Sequence, residues 1–186
     1  MPGTIEASAM RRIRMPTPLP GRRGAPATGA DREQFALELD ADETAAVASF
    51  ARRGHVTPAT LLAGAWALVL GGAVGRDDVV FATTVSGRPE DLDDVDRMTG
   101  LFINTLPVRT TLPRDVPAGA WLRGLQAALA DDRRYGYVPL AEIARRVPLA
   151  PGAHLAETIV VFENAPDILP PELEDYRDVL QVTSVP

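Results

Sequence analysis

No cysteine occurs anywhere in the chain, which excludes disulfides, thiolate nucleophiles and cysteine-ligated metal. Histidine is nearly as scarce. His55 and His154 are the two present, and their wide separation has none of the short spacings by which imidazoles share a zinc ion, so no metal site is expected. No apolar run approaches the roughly 20 residues that cross a bilayer. Positive charge is also short: 19 Lys and Arg stand against 25 Asp and Glu, for a net charge of −6. The basic surface that draws a protein to a phosphate backbone is therefore missing. Arg11, Arg12, Arg14, Arg22 and Arg23 crowd the first 30 positions without the apolar core of a secretory signal beside them. The expectation is a cytoplasmic protein with neither membrane nor nucleic-acid partners.

What is present fits one globular unit with an appended segment. The 186 residues are 46% hydrophobic, enough for a single core of ordinary size. Residues 1–32 are different, since Pro16, Pro18, Pro20, Gly21, Gly24, Pro26 and Gly29 break every periodic pattern. Such a composition buries too little apolar surface to offset the entropy of ordering. It predicts a flexible arm or linker, mobile unless it lies on another surface, followed by a folded region over 33–186.

Within that region the apolar period alternates between two and 3.6. Phe35, Leu37 and Leu39 alternate with Ala36 and Glu38, as in a half-buried strand. Asp40 or Asp42 can then cap a helix carrying Ala46, Val47, Phe50 and Ala51 on one side and ending at Gly54. Thr57-Pro58 opens a second helix, apolar nearly all round from Ala59 to Leu70 and expected to stop at Gly71-Gly72. Val79 to Val85 reads as a central strand buried on both faces. A second strand spans Phe102 to Thr110, and its Pro107 requires an edge position, a bulge or a break. Ala118 to Arg133 has the stripe Trp121, Leu122, Leu125, Ala128, Leu129 of an amphipathic helix. A short helix follows Pro139, a strand covers Thr158 to Phe162, and a weaker one covers Leu180 to Thr183. Helices feeding buried strands predict an α/β layered sandwich, a mixed sheet flanked by helices.

Two motifs carry chemical information. Val85-Ser86-Gly87-Arg88-Pro89 makes a turn after the central strand, where Gly permits a tight bend and Arg can fix the acidic loop that follows. Met98-Thr99-Gly100-Leu101-Phe102-Ile103-Asn104-Thr105-Leu106-Pro107-Val108-Arg109 leads into the second strand. Asn104 holds both a donor and an acceptor, and serves equally well to recognise a ligand or to satisfy a strand end. The carboxylates Asp91, Asp93, Asp94 and Asp96 lack the glycine and terminal glutamate of a calcium loop, and read as a solvated acidic stretch. His55 follows Gly54 at a helix end and His154 lies beside Gly152 in a loop, neither in a catalytic setting.

Together with Leu61 to Gly75, Tyr137 to Ile143 and Thr158 to Asn164, these blocks stand in the order found in a known family. Over Phe35 to Asn164 the chain resembles the C-terminal half of the condensation domains of nonribosomal peptide synthetases. The resemblance implies one lobe of a chloramphenicol acetyltransferase-like condensation fold, with residues 1–32 as the inter-lobe linker and a chain end that precedes the lobe's last strands. It also implies that Ser86, Gly87, Arg88 and Asn104 border the tunnel where two carrier-bound substrates meet. The catalytic motif HHxxxDG belongs to the N-terminal half of such domains, and this chain has no such sequence. No catalytic residue is assigned. The implied partners are peptidyl or aminoacyl carrier proteins, which bring their own phosphopantetheine arms while the chain binds no cofactor directly, and a missing N-terminal lobe. The apolar face where that lobe would dock could also support a homo-oligomer. The alternative is a noncatalytic docking platform for carrier proteins or tailoring enzymes.

Overall fold

The computed structural model describes residues 16–19, 34–86, 88 and 94–163. Helix α1, Ala41–Gly54, starts at a reciprocal cap. The Asp40 carboxylate accepts the Glu43 N–H at 2.8 Å, and the Glu43 carboxylate accepts the Asp40 N–H at 3.0 Å. Of the two candidate caps, Asp40 is the one used. The helix closes on His55, which takes the left-handed conformation at φ 54°. Two residues later Thr57 caps α2, Pro58–Val74, through the Thr60 N–H, with Pro58 at the first helical position.

Helix α2 does not stop at Gly71-Gly72 but runs on to Val74 and ends at Gly75, φ 66°. The reason lies in packing. Gly71 is buried against the Leu112 side chain and the Arg76 carbonyl, and a Cβ there would stand 2.8 Å from that oxygen. Gly71 is thus a point of close approach rather than a breaker. The outer side of the helix, with Leu68 and Val69, is half exposed.

Strand β1, Asp78–Ser86, occupies the middle of a three-stranded mixed sheet ordered β2-β1-β3. β2, Ile103–Thr111, runs antiparallel to it over its whole length, from Asp78 opposite Thr111 to Ser86 opposite Ile103. β3, Ile159–Val160, runs parallel and meets β1 at Ala82 and Thr83. The sequence predicted a longer strand here, from Thr158 to Phe162. The ladder also explains Pro107. Ala82 gives its N–H to the Thr158 carbonyl, away from β2, so its partner Pro107 also points its nitrogen outward, to the far edge of β2. A missing N–H there costs no rung.

Helices cover both faces. Val79, Phe81 and Val108 pack with Ala63, Ala67 and Leu70 of α2 and Leu125 of α3, Ala118–Arg133. From the opposite face, Val80 packs with Val138, Val147, Leu155 and Ile143 of the short helix α4, Leu140–Ala144. The fold is the layered α/β arrangement that the periodicities predict. Polar side chains fix its joints: the Trp121 indole N–H donates to the Thr111 carbonyl at 2.9 Å, and Gln126 accepts the Thr57 N–H at 2.7 Å while donating to the His55 carbonyl at 3.1 Å.

One segment departs from its sequence reading. Residues 34–40 form no strand, and Phe35 and Leu37 are 88% and 90% exposed. Alternation makes a strand only where a sheet edge receives it, and none of the described strands lies alongside. Residues 16–19, within the stretch expected to be mobile unless it lies on another surface, lie on the sheet: Thr17 is buried and its Oγ1 accepts the Val80 N–H at 2.7 Å. The weak strand expected at Leu180 to Thr183 lies outside the described residues.

The two neighbouring glycines of α2 give a paired test. Gly71→Ala gains helix propensity but meets the Arg76 carbonyl, and should lower unfolding stability by about 1–3 kcal/mol. At Gly72 an added methyl would find no atom within 4 Å, and Gly72→Ala should be neutral or stabilising by up to about 1 kcal/mol. Urea unfolding of both variants checks the contrast.

Candidate functional site

Strand β1 changes character halfway along. Val79 to Ala82 are fully buried, whereas Thr83, Thr84, Val85 and Ser86 are half-buried to exposed. The sheet emerges there from under α2 and α3, leaving a cleft of about 420 Å³. Ala59, Thr60 and Ala63 of α2 form one wall, and Leu129, Asp132 and Arg133 of α3 another. The sheet supplies Thr83 to Ser86, Leu106, Val108 and Val160, with Phe162 just beyond, and Arg88 stands at the rim.

Two of the four hydroxyls in the cleft are committed to the framework. Thr83 Oγ1 donates to the Val160 carbonyl at 3.1 Å, and Thr60 Oγ1 lies 2.9 Å from Thr57 Oγ1 and 3.3 Å from the Gln126 carbonyl oxygen. Ser86 is exposed at the mouth. Neither histidine lines the cleft. His55 caps α1 and His154 lies exposed in the loop before β3. The surroundings set hydroxyls and the charged Arg88, Asp132 and Arg133 beside apolar side chains, and they present no imidazole to accept a proton.

The four residues singled out from sequence separate. Ser86 and Arg88 line the cleft; Gly87 lies outside the described residues; Asn104 is not among the lining residues. Arg88 binds the acidic loop through backbone oxygens, donating to the Val95 carbonyl and to the Met98 carbonyl at 3.2 Å. Its guanidinium also lies 4.3 Å from the centre of the Phe102 ring. A cation over the ring face, bonded to two carbonyls, fixes both the loop turn and the approach to β2.

Asn104 performs a different task. Its Nδ2 donates to the Gly136 carbonyl at 2.6 Å and the Val138 carbonyl at 2.8 Å, and its Oδ1 accepts the Thr105 N–H at 2.8 Å. The side chain thus ties β2 to the loop between α3 and α4. At the other end of the same motif, Arg109 grips Asp78 through two 2.7 Å bonds. The hydrogen bond to Asp78, outweighing burial and reinforced by its charge, raises the Arg109 pKa above the ordinary arginine value. Sequence reasoning missed Gln126 and the Arg109–Asp78 pair. An amide between Leu125 and Leu129 on the buried stripe was the one available signal for the former.

A family model described as the condensation domain matches residues 9–184. One subunit of the linear gramicidin synthase of Brevibacillus parabrevis is 44% identical over 153 residues, covering 81% of this chain and 3% of that protein. Another subunit of the same synthase is 41% identical over 153 residues, covering 82% of this chain and 2% of that protein. The solved X-domain from teicoplanin biosynthesis superposes with a TM-score of 0.66 at 29% identity, over 82% of this chain and 34% of that one. The chain therefore spans a few per cent of these synthase proteins and about a third of the X-domain chain.

The role of Asn104 is open to direct test. Asn104→Asp keeps the size and removes both donors, setting a carboxylate against two carbonyl oxygens. Unfolding stability should fall by about 1–3 kcal/mol, read from the urea midpoint. An unchanged midpoint would show that these carbonyls find other partners.

Proposed function

This chain belongs to the condensation domain family, and from that premise we propose that it is the C-terminal part of a nonribosomal peptide synthetase condensation domain. It contributes one wall of the substrate tunnel and part of the carrier-protein docking surface. Two carrier proteins bring aminoacyl or peptidyl thioesters on their phosphopantetheine arms, and the cleft beside Ser86 and Arg88 receives one of them. The observation that carries this reading is the cleft itself, opened by the polar second half of β1 and rimmed by the motif that the family resemblance marks.

Amide formation needs an amine held against a thioester carbonyl and a group that accepts its proton. The wall serves the first need. Thr83 ties β1 to β3, Thr60 ties α2 to Gln126 of α3, and Arg88, fixed by two carbonyls and a ring, keeps the rim in place. The second need is met by HHxxxDG on an N-terminal lobe, so this chain alone is inactive. Phe35, Leu37 and Leu101, each 88–91% exposed, mark apolar surface for that lobe, or for a second copy in its absence. The lack of a histidine in the cleft also fits a noncatalytic docking platform, and one experiment separates the two.

The chain is mixed with a separately produced N-terminal lobe carrying HHxxxDG and with two loaded carrier proteins, and dipeptidyl thioester is followed by mass spectrometry. Product is expected when both lobes are present. Ser86→Trp, which fills the mouth from an exposed position, should lower kcat/KM by about tenfold or more while leaving the unfolding midpoint unchanged. Carrier binding without product in every combination would overturn the enzymatic reading and establish the platform.

A further inference from the structure

The β1 edge that faces β3 has two kinds of occupant. At Ala82 the N–H goes to the Thr158 carbonyl, a rung of the parallel ladder. Two residues earlier, at Val80, the N–H goes to Thr17 Oγ1 instead. Residues 16–19 therefore act as a strap across the place where β3 would otherwise continue. Two further bonds hold the strap. The Arg76 guanidinium donates to the Pro16 carbonyl at 3.1 Å, and the Leu19 N–H donates to the Glu157 carboxylate at 2.8 Å.

Ladder geometry shows what the strap displaces. In a parallel pair each rung recurs two residues on in both strands. Ala82 pairs with Ile159, so the preceding pair would set Val80 against Glu157. The Val80 N–H would then donate to the Ala156 carbonyl, and the Thr158 N–H to the Val80 carbonyl. The one Val80 N–H cannot serve Thr17 Oγ1 and the Ala156 carbonyl at once. We propose that the strap at residues 16–19 and an N-terminal extension of β3 are mutually exclusive occupants of one β1 edge, so that docking of the strap sets the length of β3.

The consequence reaches the cleft. Val160 lies in β3 and Phe162 just after it, and both line the cleft wall. Releasing the strap lengthens β3, and so couples the docking of residues 16–19 to the shape of that wall. Two occupants of one hydrogen-bonding edge make a two-state element, the physical requirement for such coupling. The exchange of occupants takes place within the chain's own sheet, whether or not the chain takes part in condensation.

Amide hydrogen exchange on the full chain tests it. Thr17→Val preserves volume and removes the acceptor. The Leu19 amide should then exchange at least about tenfold faster and the Thr158 amide at least about tenfold slower, while Val80 stays protected because Ala156 replaces Thr17. Thr17→Ser should behave as the parent chain. Leu19→Pro keeps the Thr17 side chain but removes the N–H given to Glu157; with its second anchor lost the strap leaves Val80 more often, so Thr158 should slow as well, even if Thr17→Val fails to fold. If Val80 loses protection together with Leu19, or if Thr158 is unmoved in whichever of the two variants folds, the strap is only a cap and the proposal is wrong.

Discussion

A strand buried on both faces must find partners for its backbone along both edges, because an N–H shut away from water and unpaired costs about as much as several ordinary contacts return. β1 is that strand. Val79 to Ala82 are sealed from solvent, and each edge is met differently. β2 covers one edge along all nine residues, while the other is covered by two residues of β3 and by the hydroxyl of Thr17. The outward nitrogen of Pro107, which breaks no rung, and the docking of residues 16–19 at Val80 both meet this requirement.

The same strand positions the site. Its first half, Val-Val-Phe-Ala, is apolar enough to lie between α2 and α3 on one face and α4 on the other. Its second half, Thr-Thr-Val-Ser, is not, and the layers part where the hydroxyls begin. The cleft is therefore a product of composition within one element. The motif residues after it act mainly on the frame: Arg88 fixes the loop turn and Phe102, and Asn104 holds the loop between α3 and α4. Orientation of substrates depends on such supports being rigid, because small displacements of bound groups cost large factors in rate.

Much of this was legible in the sequence where local rules act alone. A cap at Asp40 or Asp42, the Thr57-Pro58 start and the apolar stripe of α3 depend on neighbours three or four residues away, and each helix begins where these signals put it. Legibility failed where a distant partner decides. Gly71 looks like a stop until Leu112 and Arg76 are packed beside it. Phe35 to Leu39 has the period of a strand but no described edge to join. Thr17 sits in a stretch whose composition promises no order, and its burial depends on one N–H more than sixty residues away. At the site, the turn after β1 could be located, but whether Asn104 faces a ligand or a loop could not, since an amide side chain satisfies either.

On this account the chain is a wall that orients and does not itself accept a proton. The most direct measurement gives the purified chain, with no other lobe present, two carrier proteins loaded with amino acids as thioesters and follows single-turnover amide formation. The account predicts carrier association and a rate of bond formation equal to that of the carriers alone. Dipeptide formed well above that rate would contradict it, because a proton acceptor would then have to lie within the chain.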